Sequence, residues 1–259
     1  MWDVHRVSDI PFESAKYPLY YVHAKSPKKV YKNIFLSAGI HGNEPAGVYA
    51  LLNFLEKKAH EYLDNFSFIA FPCVNPSGFE YDQRGNIDGI NLNLTFNGEL
   101  SSKESTIVKQ FIRKSNITYA FAMDMHEDDT YEKVDGYTMK DNPKEFYLYE
   151  VSHHKNFFIG PKIIHALECQ GIPICKREQI YYEKCNKNGL ILSNGILDPS
   201  YRDVDTLDGY LQNFTKHIFT PETPTCWSLD KRISVQMKTL LLVLDEYIKV
   251  INQKKSDRK

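Results

Sequence analysis

The sequence predicts an α/β fold, a three-layer αβα sandwich with helices on both faces of a mixed, mostly parallel sheet. Three observations carry this. Short apolar or β-branched runs recur along the chain, amphipathic helical patterns fill the intervals, and no repeat, low-complexity segment or Gly/Ser linker interrupts them.

The strand-like runs are Leu19 to Val22, Asn33 to Ser37, Phe66 to Phe71, Tyr119 to Met125, Phe146 to Val151 and, more briefly, His217 to Thr220. Runs of this length bounded by turn residues suit buried strands. Between them, Pro45 suits a first helical position, and Val48, Leu51, Leu52 and Leu55 follow at helical spacing. Ser101 and Glu104 form a capping-box pattern ahead of Ile107, Val108, Phe111 and Ile112. The last helix is expected over about residues 232–252, where Ile233, Met237, Leu240, Leu241, Leu244, Ile248 and Ile251 form one stripe. Residues 1–252 are thus expected to form a single domain, and 253–259 (QKKSDRK) a loose, solvated tail.

The composition of the 259 residues limits the function. Hydrophobic residues make up 42 % and charged residues 25 %, which is globular rather than disordered. A net charge of −1 gives no global electrostatic case for nucleic acid or an anionic membrane. No apolar run is long enough to cross a bilayer, and MWDVHRVSDI does not read as a secretory signal, so a cytoplasmic protein is expected. Cys73, Cys169, Cys175, Cys185 and Cys226 are odd in number and contain no CxxC, which favours free thiols over a disulfide framework.

In sheets of this kind, chemistry collects on loops beyond strand ends. The first such loop, Ser37-Ala-Gly-Ile-His41-Gly-Asn-Glu44-Pro45, leads from a strand straight into a helix. A His and a Glu three apart on a turn can reach one cation, and imidazole nitrogen and carboxylate oxygen are good zinc ligands. The HxxE pattern occurs twice, but His165-Ala-Leu-Glu168 lies mid-helix and reads as a surface pair. Phe121-Ala-Met-Asp124-Met-His126-Glu127 turns abruptly from apolar to polar. Asp124 and His126 share one face of a strand, so His126 is either a third ligand oriented by Asp124 or a strand-end histidine in a solvated acidic loop.

Two further pieces follow. The turn-rich stretch from Asn75 to Phe96 carries Arg84, which is either a surface arginine or a fixed cation for a developing oxyanion. Phe219-Thr-Pro-Glu222-Thr-Pro224 places a carboxylate between two prolines just past a short strand. Glu222 is there either an exposed turn residue or a general base on a rigid loop. His153-His154 is an additional histidine pair, more readily structural or exposed than ligating.

In this order the pieces resemble the zinc carboxypeptidase superfamily, which includes the aspartoacylase and succinylglutamate desuccinylase branch. The matching residues are His41-Gly-Asn-Glu44, Asn75-Pro-Ser-Gly78, Arg84, Asn91-Leu-Asn-Leu-Thr-Phe96, Asp124-Met-His126 and Glu222-Thr-Pro224. The resemblance implies a mixed sheet of about eight strands between helical layers. It implies one zinc ion on His41, Glu44 and His126, with Glu222 as general base. Arg84 would stabilise the oxyanion, and Arg84 and Asn93 would contact substrate. The implied activity is hydrolysis of an amide bond in a small peptide, with deacylation of an N-acyl amino acid as the alternative.

The sequence departs from the family pattern at two points. Leu94 stands where the family has an arginine that grips a substrate carboxylate, and Asn91 replaces an aspartate. The first change puts ordinary C-terminal exopeptidase specificity in question and motivates a third alternative, a non-catalytic binding module that kept the fold. Arg177 and Arg202 are candidates to replace the lost cation, and Tyr201 and Tyr210 to line the site.

Overall fold

The computed structural model describes residues 2–12, 15–29, 31–130, 138–154, 157–186, 188–194 and 204–256. The strands are β1 (Trp2–Phe12), β2 (Ala15–Ala24), β3 (Lys32–Ala38), β4 (Phe66–Phe71), β5 (Tyr119–Asp128), β6 (Tyr147–Ser152), β7 (Gln179–Ile180), β8 (Glu183–Lys184), β9 (Leu190–Asn194) and β10 (His217–Pro224). The helices are α1 (Pro45–Lys57), α2 (Pro76–Glu80), α3 (Lys103–Ser115), α4 (Gly160–Cys169), α5 (Leu207–Leu211) and α6 (Leu229–Ser256).

Eight strands form one mixed sheet in the order β1-β2-β4-β3-β5-β10-β6-β9. The β4-β3-β5-β10 run is parallel, as is β6-β9, while β1-β2, β2-β4 and β10-β6 are antiparallel. The remaining two, β7 and β8, pair as a separate hairpin.

Side-chain alternation sorts the central strands into two cores. Ile34 and Leu36 of β3, Phe66 and Phe68 of β4, and Phe121 and Met123 of β5 pack toward α1, α4 and α6. Phe35, Ile69 and Ala122 face the opposite way, toward Val108 and Ile112 of α3 and Leu207 and Leu211 of α5. This is the expected three-layer sandwich.

Several local expectations are revised. The strand β1 has no apolar run to mark it, because it is an edge strand whose only buried side chain among those described is Ile10. In α1, Leu52 is 45 % exposed and Phe54 is buried in its place. The cap of α3 is Ser102 with Ser105 rather than Ser101 with Glu104. Glu104 is instead buried, accepting hydrogen bonds from Asn86 Nδ2 at 3.2 and 3.3 Å, which ties α3 to the long loop. The helix α6 runs on to Ser256, beyond residue 252.

Glu222 is not on a loop. It lies inside β10, the strand between β5 and β6, opposite His126 on one side and Tyr147 on the other. Pairing with β5 lapses at Thr220 and Pro221 and resumes in the same register at Glu222–His126, and Pro224 stands at the end of the strand. A proline cannot donate to a ladder, so it fits where the ladder is interrupted.

Candidate metal centre

Two loops must approach closely to build the site. Gly42 lies against Gly78 of α2, and a Cβ on Gly42 would stand 2.0 Å from the Gly78 carbonyl carbon. Only glycine fits there. Asn75 caps α2 by accepting from Gly78 N at 2.9 Å, and the Gly42 N–H reaches Arg84 O at 3.4 Å. These contacts deliver Arg84 and Asn91 to the HxxE loop.

At the head of α1, Glu44 is buried among four polar groups. His41 Nδ1 lies 2.6 Å from Oε1 and Arg84 Nη1 3.2 Å from the same oxygen. His126 Nδ1 lies 3.1 Å, and the backbone N–H of Glu127 3.0 Å, from Oε2. Burial alone would push the Glu44 carboxyl up, but His41 and His126 outweigh it and hold it well below the usual range.

Each imidazole is backed on its outer nitrogen. His41 Nε2 is 3.1 Å from Asn91 Oδ1, and His126 Nε2 is 2.9 Å from Asp124 Oδ2. Asp124 is itself fixed by Ser37 Oγ, which donates to Oδ1 at 2.7 Å. An Nε2–H donated to these oxygens leaves both Nδ1 lone pairs facing inward, the tautomer that a metal requires. Gln236 of α6 steadies the strand, donating from Nε2 to His126 O at 2.6 Å.

Ligand atoms of His41, Glu44 and His126 lie within 4.8 Å of one another, and all three residues are buried. Two inward imidazole nitrogens and one carboxylate are the donor set of a catalytic zinc site, so the residues fit the implied ion. Without an ion, burial lowers the pKa of His41, while Asp124 and Glu44 overcome burial and raise that of His126.

The three residues open into a cavity of about 610 Å³, which Arg84, Asn93 and Glu222 also line. Burial, together with the charges of Glu44 and Asp128, raises the Glu222 carboxyl well above its usual range against the opposing pull of His126 and Arg84. Asn93 Oδ1 also accepts from Leu207 N at 3.0 Å, anchoring α5 beside the cavity.

Other candidates lie elsewhere. Arg177 is absent from the cavity lining and donates to the backbone carbonyls of Asp141 and Asn142. Arg202 and Tyr201 lie outside the described residues. Tyr210 is buried in the core around α3 and α5, with Arg113 over its ring. His153 bonds Gln212 away from the cavity, and His165 and Glu168 are exposed on α4, as expected of a surface pair. Burial pushes the Cys73 thiol up to about 12, which does not suit a nucleophile.

No motif marks Tyr147, Tyr149 or Tyr181, yet all line the cavity. The available signal is period-two spacing in β6, which turns Tyr147 and Tyr149 to one face. Tyr147 and Tyr181 hydroxyls both donate to Asp128, at 2.7 and 2.9 Å.

Known proteins match this arrangement. The sequence model of the succinylglutamate desuccinylase/aspartoacylase catalytic domain matches residues 30–145, a stretch that holds His41, Glu44, Arg84, Asn91, Asp124 and His126. Carboxypeptidase 2 of Trichophyton rubrum is 30 % identical over 129 residues, 44 % of this chain but 23 % of that protein, so the match spans less than a quarter of this relative's length. A solved structure from Shewanella amazonensis SB2B, described as a metallopeptidase, superposes with a TM-score of 0.75 at 21 % identity, covering 95 % of this chain and 86 % of that one. A metallo-carboxypeptidase from Burkholderia cenocepacia gives a TM-score of 0.64 at 15 % identity, covering 96 % and 65 %. No helix among the described residues is long and apolar enough to cross a membrane. The chain thus shares its fold with these metallopeptidase structures, and its residues 30–145, which carry the His–Glu–His group, are similar to the succinylglutamate desuccinylase/aspartoacylase catalytic domain.

Proposed function

We propose that the protein is a zinc-dependent amide hydrolase in which His41, Glu44 and His126 hold one ion and Glu222 is the general base. The observation that carries this is the convergence of both Nδ1 atoms on Glu44, beside a carboxyl raised for proton transfer. A bound zinc would supply Lewis-acid polarisation of the scissile carbonyl and acidify water.

The chain's own groups account for the remaining chemistry. Glu222 takes a proton from the attacking water and delivers it to the departing nitrogen. Arg84, on the cavity wall, presents a fixed cation to the developing oxyanion. Asn91 and Asp124 hold the imidazoles with Nδ1 turned toward the ion. Asn93 lines the substrate space. Residues 1–252 form one catalytic domain, whose site draws on residues from Ser37 to Gln236.

The substrate is a small peptide or an N-acyl amino acid. The deacylase reading is favoured by the branch whose catalytic domain matches residues 30–145. The test is metal analysis of the purified protein, followed by kinetics of Glu222→Gln on a dipeptide panel and an N-acyl amino acid panel. We expect about one zinc per chain, retained in the variant, with activity down about 10²- to 10⁴-fold. A protein that neither carries nor binds zinc, or a variant as active as the wild type, overturns the assignment.

A further inference from the structure

Along β5, alternate side chains face opposite ways. Asp124 and His126 face the metal centre, while Phe121, Met123 and Met125 face the core shared with α1 and α6. Glu127 continues that second row, so a fully buried carboxylate follows three apolar side chains. The head of α1 lies directly against the row. A Cβ on Gly47 would stand 2.8 Å from Met125 Cβ and 3.0 Å from Met125 O, an approach that glycine permits because it has no side chain.

The first turn of a helix leaves backbone N–H groups without partners inside the helix. In α1 this turn is buried at Ala46, Gly47 and Val48. Pro45 carries no N–H, and the turn holds no acidic residue. Glu44, the N-cap residue, makes no side-chain bond to the helix, because its carboxylate is turned to His41 and His126. Glu127 supplies the missing cap from the neighbouring strand: its Oε2 accepts from the Ala46 N–H at 2.8 Å. A carboxylate in that position also meets the positive end of the helix dipole.

The other oxygen of Glu127 is held from α6 and β10. Arg232 Nη1 donates to Oε1, and Thr223 Oγ1 donates to the same atom at 3.4 Å. A buried carboxylate needs such a cation to offset its charge. One turn further along α6, Gln236 donates to His126 O. The backbone of Glu127 acts as well, its N–H donating to Glu44 Oε2 at 3.0 Å. One residue thus holds the start of α1 through its side chain and the Glu44 carboxylate through its main chain.

We infer that Glu127 is a positioning residue that caps α1 in place of Glu44, with Arg232 as its counter-ion, and so leaves the Glu44 carboxylate to the metal. Both Glu127 oxygens are engaged by protein groups, so it acts through Glu44 rather than on substrate. The inference rests on the proposed hydrolase for the metal, but the cap can be tested in metal-free protein.

The experiment compares Glu127→Ala with Glu127→Gln, alone and combined with Arg232→Met. Zinc affinity is measured on folded protein by competition with a chromophoric chelator. Amide exchange at Ala46 is followed by NMR without metal. We expect Glu127→Ala to weaken zinc binding about 10- to 100-fold, with kcat lowered more than KM is changed. Ala46 exchange should quicken about tenfold or more. Glu127→Gln alone strands the Arg232 cation and should lose nearly as much. In the double variant the amide oxygen still accepts from Ala46 and no cation is stranded, so affinity should return to within about threefold of wild type. Leu167→Ala, in the core under α4, is the control for general destabilisation and should lower the melting temperature without weakening zinc binding. Unchanged zinc affinity or unchanged Ala46 exchange in folded Glu127→Ala overturns the inference, as does an equal zinc loss in Leu167→Ala. A double variant no better than Glu127→Gln overturns the role of Arg232. If the wild type binds no zinc yet Ala46 exchange quickens in Glu127→Ala, the hydrolase assignment fails and the cap stands.

Discussion

Glu222 and His126 stand opposite each other in the parallel register of β10 and β5, with Tyr147 of β6 next in the same row. The expected general base and an expected metal ligand are therefore neighbours on adjacent strands of one rigid sheet. Backbone ladders on both sides hold Glu222, which a proline-flanked loop would have left more mobile. Sites built on strands keep their geometry better than sites on loops.

The groups behind the imidazoles should govern metal affinity. Asp124→Ala and Asn91→Ala each remove the acceptor on an outer ring nitrogen. Each is expected to weaken zinc binding about 10- to 100-fold, measured by competition with a chromophoric chelator. Unchanged affinity in both would mean that these contacts do not orient the ligands.

Gly42→Ala should disrupt the approach of the two loops. Its Cβ would be placed 2.0 Å from the carbonyl carbon of Gly78, so backbone must move. We expect a lowered melting temperature together with reduced zinc affinity, because the displaced segment carries His41 and Glu44. A variant with wild-type stability and metal content would show that the contact is easily relieved.

Arg84→Met should lower kcat/KM by about 10²- to 10³-fold while leaving zinc bound, if the guanidinium stabilises the oxyanion. Metal content and turnover are measured on the same preparation. Loss of zinc in proportion to activity would instead make its contact with Glu44 the main role.

Acid sensitivity should arise partly far from the cavity. His217 is buried between Tyr247 and Glu150, with Nδ1 2.5 Å from the tyrosine hydroxyl and Nε2 2.7 Å from the carboxylate. Burial lowers its pKa from the ordinary 6.5 despite Glu150. The folded state then binds fewer protons than the unfolded state below that value. The stability contributed by neutral His217 is complete above about pH 6.5 and declines as the pH falls from there. Urea unfolding at pH 7.5 and 5.5 should show a smaller acid loss for His217→Gln than for wild type. Equal losses would remove His217 as a contributor.

Much of this protein is written locally. Apolar runs such as Phe66–Phe71 and Asn33 to Ser37 mark central strands because both faces of those strands are buried. Spacing alone places His41 beside Glu44 and Asp124 on the face of His126, since turns and strands impose those geometries over two or three residues. What lies beyond that range was decided by tertiary structure. Nothing near Glu222 in sequence shows that β10 enters between β5 and β6, and so its surroundings read as a loop. The same strand order brings Tyr147, Tyr149 and Thr220 to the cavity, while Arg177 is held by backbone carbonyls elsewhere. Hydrophobic period reports which face of an element is buried. The identity of its neighbour depends on how distant strands pair, and that pairing determines which charges meet the substrate.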